Sequence, residues 1–131
     1  MPIRVLIADD SELMRRQMRT TLEPERDIEI CAEAENGLEA VRKALECRPD
    51  LVVVDVNMPV MNGLAATEDI KVLMPNVRVL AVTLYDSHQI QIESERVGAD
   101  AVLMKAEGGV QLARTIRALC KRTLGGLASP S

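Results

Sequence analysis

One rhythm constrains this chain more than any other feature. Short apolar runs rich in Val, Ile and Leu alternate with stretches whose apolar residues recur at helical spacing. Ile3–Ala8 is such a run, closed by Asp9-Asp10, and it reads as a strand buried on both faces. Ser11 is placed to cap a helix through about Leu22, with Met14, Met18 and Leu22 on one face, until Pro24 breaks it. Ile28–Ala34 alternates more, as an edge strand should. Asn36-Gly37 opens a second helix, with Leu38, Val41 and Leu45 as its predicted core stripe, ending before Pro49. Residues 51–56 are the most apolar run and the best central strand. A loop holding Pro59 spans 57–63, and a third helix is expected over 64–73, stopped by Pro75. A fourth strand follows at 77–82 and a less regular fourth helix at 86–97. The turn Gly98-Ala99-Asp100 leads to a fifth strand, Ala101–Met104. The last helix is expected over 109–122, with Leu112, Ala113, Ile116, Leu119 and Cys120 at core spacing.

Five strands alternating with five helices predict an α/β domain with a parallel sheet. Parallel strands need crossover helices, and right-handed crossovers cover both faces, so the sheet is doubly wound. The 131 residues suit one domain, taken as 1–122, followed by a flexible tail or truncated linker at 123–131. No apolar run approaches the ~20 residues of a membrane span, and the start lacks the apolar core of a secretory signal, so a cytoplasmic location is expected. A net charge of −4 argues against generic phosphate-backbone binding. Tyr85 is the only aromatic residue, which argues against base stacking. Cys31, Cys47 and Cys120 form no CxxC pair or Cys/His cluster. They read as reduced thiols, two or three of them filling core space, without a disulfide framework or a zinc site.

The charges fall where chemistry would need them. Asp9 and Asp10 end the first strand, Asp55 lies near the end of the third, Thr83 ends the fourth and Lys105 the fifth. Open α/β sheets bind ligands beyond the carboxyl ends of their strands. These side chains, spread over almost the whole chain, are therefore expected to converge. Three carboxylates so placed repel: at an effective dielectric near 20, a pair ~4 Å apart costs about 4 kcal/mol. A hard divalent cation, Mg²⁺ or Mn²⁺, removes that conflict. One carboxylate beside such a cation, a lysine and a hydroxyl matches an incoming phosphoryl group. Asp55 is then the natural nucleophile, and an acid set in the run Val53-Val54-Asp55-Val56 is costly to bury without such a purpose.

Several stretches together look like the receiver domain of two-component response regulators. They are Ile7-Ala8-Asp9-Asp10-Ser11, the segment Val54-Asp55-Val56-Asn57-Met58-Pro59-Val60-Met61-Asn62-Gly63, Val82-Thr83, Gly98-Ala99-Asp100 and Lys105. The resemblance covers about residues 2–122, and its flavour is closest to receivers of LuxR/NarL-type regulators. It implies a flavodoxin-like sheet of order 2-1-3-4-5. It implies that Asp55 accepts a phosphoryl group from a phosphohistidine on a sensor histidine kinase. Asp10 would bind Mg²⁺ directly and Asp9 largely through water, with Asn57 supplying its backbone carbonyl. Lys105 would pair with a phosphoryl oxygen, Thr83 would swing in to hydrogen-bond it, and Pro59 and Gly63 would shape the loop. The chain would then be a switch, phosphorylating and dephosphorylating itself but not turning over a substrate. It would control a transcription domain or partner, with an output or homodimer face around the fourth helix, fifth strand and fifth helix and no nucleic-acid contact of its own.

Two positions depart from the family. Val102 stands where an aromatic switch residue is common, and Ala106 where proline commonly follows the lysine. The first puts the usual threonine–aromatic coupling in doubt, and the second removes the usual cis-proline turn. Two rivals stay open: an aspartyl-phosphate phosphohydrolase, and a degenerate receiver acting as a constitutive binding module. Against the first, Asp55-Val56-Asn57 lacks a second acid to protonate a leaving group. Tyr85 either restricts water at the pocket rim or packs on the loop. His88 reads as a surface residue of the fourth helix, where Ile90 and Ile92 cannot both face the core. Arg15, Arg16 and Arg19 read as a basic outer face of the first helix.

Overall fold

The computed structural model describes residues 1–85 and 87–128, with backbone alone for Glu107, Gly108, Val110 and 121–128. The apolar runs become strands β1 (Ile3–Ala8), β2 (Ile28–Ala34), β3 (Leu51–Asp55), β4 (Arg78–Thr83) and β5 (Ala101–Met104). Between and after them lie α1 (Glu12–Leu22), α2 (Gly37–Cys47), α3 (Gly63–Leu73), α4 (His88–Arg96) and α5 (Gly108–Ala128). The strands pair in parallel in the order β2-β1-β3-β4-β5, as expected. Side chains alternate along each strand, so one face of the sheet carries Val5, Ile7, Leu51 and Val53. Met18 and Leu22 of α1 and Leu112, Ile116 and Leu119 of α5 pack on that face. The other face carries Leu6, Ala8, Val52 and Val54, covered by α2 and α3 through Ala40, Val41, Ala44, Ala66 and Ile70.

The helices start where short polar side chains can accept from the first free N–H groups. Ser11, Asn36, Asn62 and Ser87 each cap the helix that follows. The cap at Asn62 starts α3 one residue earlier than periodicity suggests, and the cap at Ser87 starts α4 at His88 rather than at 86. Asp86 itself lies outside the described residues. A 3₁₀ turn over Lys105–Glu107 precedes α5. The helical backbone then continues past 122, where the sequence reading ends the helix. Of the predicted tail, 129–131 lies outside the described residues. The turn before β5 depends on Gly98, whose φ of 98° is left-handed, and on Asp100. Asp100 accepts from the Val79 N–H at 2.8 Å and pairs with Lys71 Nζ at 2.8 Å. No helix among the described residues is long and apolar enough to cross a membrane.

Two packing expectations are corrected. Leu38 and Leu45 are exposed, and the small residues Gly37, Ala40 and Ala44 face inward with Val41. Gly37 lets α2 approach the β3–α3 loop: its N–H donates to the Met61 carbonyl at 2.8 Å, and a Cβ there would sit 2.1 Å from that oxygen. Arg15 is buried, so α1 does not present an unbroken basic face. Cys120 is buried in the core on one face of the sheet and Cys47, partly buried, packs against the core on the other, while Cys31 is partly buried on β2.

Candidate functional site

β1, β3, β4 and β5 end side by side, and the strand-end residues meet there. Asp9 is fully buried just past β1, and Asp55 is buried at the last position of β3. Asp10 is exposed at the mouth. Carboxylate oxygens of Asp9, Asp10 and Asp55 lie within 4.8 Å of one another. Lys105 enters from the end of β5, with Nζ 2.9 Å from Asp9 Oδ2 and 3.2 Å from Asp55 Oδ2. Its contact with Asp9 is an ion pair, and among the described residues no hydrogen-bond donor is assigned to buried Asp9 Oδ2. The backbone orients both acids. Ser11 N–H donates to Asp9 Oδ1 at 2.9 Å, and Asn57 N–H donates to Asp55 Oδ1 at 3.1 Å.

Thr83 is buried at the end of β4. Its hydroxyl is engaged with the Tyr85 backbone, accepting from its N–H and donating to its carbonyl, both at 3.3 Å. It therefore lines the site without touching Asp55 through any hydrogen bond described. Asn57 reaches Asp55 through its amide, and its side chain is exposed. Tyr85 is 67% exposed, so its ring does not close the pocket. His88 is on the surface, as read, and Ile92 faces outward while Ile90 is half-buried. Val102 is only partly buried, and among the described residues no peptide bond is cis.

Local sequence reading missed Arg15. Its Nη1 donates to the Asp9 carbonyl at 2.7 Å and its Nε to Glu33 Oε1 at 3.2 Å, tying the acidic loop to β2. Arg19 joins the same Glu33 at 2.6 Å. A basic run on a helix gives no local sign that one guanidinium turns inward; the acid on β2 is the partner that signals it.

The electrostatics follow from burial. Asp55 is pushed above its ordinary value of 3.8 by desolvation and then by the Asp9 charge, with Lys105 and the Asn57 N–H opposing. Burial is the largest single influence on Lys105 and pulls it down, but Asp9 and Asp55 together outweigh it and raise it above 10.5. A carboxyl raised in the folded state contributes stability below its unfolded value that is lost as pH rises through the folded one. Asp55→Asn removes that loss. In EDTA the variant should melt a few degrees above the parent at pH 7, the gap closing towards pH 3.8. An equal or lower melting temperature at pH 7 would show that burial of the charge carries no net penalty.

Three carboxylates facing one ammonium, with a buried oxygen lacking a donor, form a set of hard oxygen ligands. Such a set fits a small divalent cation. An ammonium and a cation held beside a carboxylate would together also suit an incoming phosphoryl group.

The sequence profile of the response regulator receiver domain matches residues 5–117. The chain is 42% identical over 111 residues to "Protein-glutamate methylesterase/protein-glutamine glutaminase 2" of Carboxydothermus hydrogenoformans, covering 84% of this chain and 31% of that protein. It is 34% identical over 117 residues to "Response regulator protein VraR" of Staphylococcus saprophyticus, covering 89% of this chain and 56% of that protein. It thus spans about a third to a little over half of these relatives' lengths. Among solved structures, the response regulator domain of Thermotoga maritima CheB superposes with a TM-score of 0.86 at 31% identity, covering 92% of this chain and 98% of that one. The receiver domain of the putative response regulator NarL from Mycobacterium tuberculosis shares the fold at a TM-score of 0.88 and 23% identity, covering 92% and 97%.

Proposed function

This chain belongs to the response regulator receiver domain family, and we propose that it is a phosphoacceptor switch of a two-component phosphorelay. The observation that carries this reading is the Lys105 ammonium placed on both buried acids, within 3.2 Å of Asp55 Oδ2 and 2.9 Å of Asp9 Oδ2. The donor is a phosphohistidine of a sensor histidine kinase. An Asp55 carboxylate oxygen attacks phosphorus in line as the phosphorus–nitrogen bond breaks, leaving an aspartyl phosphate and the kinase imidazole. Lys105 keeps Asp55 ionised for the attack and then pairs with a phosphoryl oxygen. Thr83 exchanges its bonds to the Tyr85 backbone for one to the phosphoryl group. Asp9, Asp10, Asp55 and the Asn57 carbonyl would hold Mg²⁺ (or Mn²⁺), which when bound neutralises charge on the phosphoryl oxygens.

The new dianion favours one of two conformations only by interacting differently with them. Movement of Thr83 changes the loop leading into α4, so the output face, or a homodimer through it, is formed by α4, β5 and α5. With Val102 in place of an aromatic residue, the change passes through Thr83 and α4 themselves. Output is transcriptional, as the relatives of LuxR/NarL type suggest. The domain is cytoplasmic and makes no direct nucleic-acid contact. The test is mass analysis after incubation with acetyl phosphate and Mg²⁺. One phosphoryl mass on Asp55 is expected, suppressed by EDTA and lost in Asp55→Asn. No phosphoryl adduct would favour a constitutive binding module, and multiple turnover of a phosphomonoester would favour a hydrolase.

A further inference from the structure

Away from the acidic pocket, two sulfur atoms meet. Cys31 Sγ and Cys47 Sγ lie 3.1 Å apart, although 16 positions separate them in the chain. Two irregularities in the backbone frame this contact. The β1–β2 register pairs Val5 with Ile30 and Leu6 with Ala32, so Cys31 is the extra residue of a bulge in edge strand β2. Bulges re-aim a side chain. Cys47 is the last residue of α2, just before the left-handed cap Arg48, whose φ is 50°. Arg4 fastens this end of α2 to β1, its Nη1 donating to the Cys47 carbonyl and, at 3.2 Å, to that of Arg48. Both residues are only partly buried, which leaves the pair within reach of a small oxidant.

We propose that Cys31 and Cys47 are an oxidant-responsive dithiol site that closes to an intramolecular disulfide under peroxide. The pair has no third partner for a metal: among the described residues, the acidic group at the strand ends is the one cluster of three or more His, Cys, Asp or Glu that converges. Only a modest approach brings the sulfurs from contact to bonding distance. Burial and the neighbouring Cys47 sulfur push the Cys31 thiol up to about 12. Oxidation begins at one of the two sulfurs, Cys47 for example. Its thiolate attacks one oxygen of hydrogen peroxide, giving a sulfenic acid and, with a proton from solvent, water. The Cys31 sulfur then attacks the Cys47 sulfur; the sulfur–sulfur bond forms, the sulfur–oxygen bond breaks, and the hydroxyl leaves with the Cys31 proton as a second water. The peroxide is reduced by two electrons, and the two thiols are oxidised by two. Reduction by the thiol pool of the cell reverses the step.

The protein should be treated with graded hydrogen peroxide, denatured without reductant, alkylated and digested with trypsin, which separates the two cysteines by cutting at Arg42 and Lys43. The expected product has lost two hydrogens, joins the Cys31 and Cys47 peptides, and alkylates at Cys120 alone. Cys120→Ser should form the same bridge, and Cys47→Ser should not. Oxygen adducts on single cysteines without a bridge, disulfides between two chains, or thiols unmoved at peroxide levels that oxidise free cysteine would each overturn the proposal.

Discussion

Replacing Lys105 with Met should lower stability by about 3–5 kcal/mol at pH 7, the usual cost of removing one partner of a buried ion pair. Lys105 lies within 3.2 Å of two buried carboxylates, and no other cation is paired with either among the described ion pairs. Without it, Asp9 and Asp55 keep their charges in a nearly dry site and repel. The deficit should depend on pH in a defined way. In the variant, Asp55 rises further above its ordinary value, so the folded state retains stability in acid and loses it as pH increases. The gap should be small below pH 3.8, the ordinary value for Asp55, and widen towards neutrality. The lysine itself is raised above 10.5, so its contribution is complete below that pH and is lost as pH climbs through its folded value. Parent and variant should converge again at strongly alkaline pH. Added Mg²⁺ should narrow the deficit at pH 7, since it neutralises the same oxygens and binds only the folded form. Urea melts across pH, with and without Mg²⁺, measure all of this. A deficit under about 1 kcal/mol at pH 7, or one that ignores pH, would mean that solvent already screens the pair.

The same electrostatics explain which parts of the molecule were readable in the sequence. The strands announce themselves because burial on both faces demands unbroken apolar runs, as in Leu51–Asp55. Once the strands are parallel, Asp9, Asp55, Thr83 and Lys105 share one edge, and the convergence follows from topology alone. Contacts between segments that local periodicity treats separately are harder to read. Leu38 and Leu45 have the spacing of a core stripe, yet α2 packs through Gly37, Ala40 and Ala44, because close approach to the β3–α3 loop favours small residues over apolar ones. Arg15 looks like a surface cation until Glu33 and the Asp9 carbonyl are found beside it. Cys31 and Cys47 carry no motif, because a bulge and a helix end bring them together rather than any spacing. In each case the missing information is a pairing across the fold.

Gly63→Ala should lower stability by about 1–3 kcal/mol and slow phosphorylation of Asp55 by acetyl phosphate roughly 10²-fold. Gly63 begins α3 against the end of β3: a Cβ there would stand 2.0 Å from the Asp55 carbonyl oxygen and 2.8 Å from its carbon. These are backbone atoms and cannot swing aside as a side-chain tip could. The Gly63 N–H also donates to the Val56 carbonyl at 2.9 Å, so the residue is held against the strand that it would strike. Either the start of α3 retreats or the end of β3 is pushed, and Asp55 is the last residue of that strand. An in-line attack is sensitive to displacements near 1 Å, so the rate should fall by much more than the loss of folded protein accounts for. The acceptor loop cannot absorb the shift freely. Val60 within it is already at a φ of 67°, and on its far side the Met61 carbonyl is bound by the Gly37 N–H. Gly109→Ala is the matched control: the same added methyl, close to Lys105 in sequence, meets nothing within 4 Å. It should leave the rate unchanged and match or exceed the parent in stability, because alanine is the better helix former. Phosphorylation time courses on both variants, corrected for folded fraction, decide the matter. If Gly63→Ala matched the parent rate, the position of the Asp55 backbone would not limit acceptance, and in-line placement by the end of β3 would have to be abandoned.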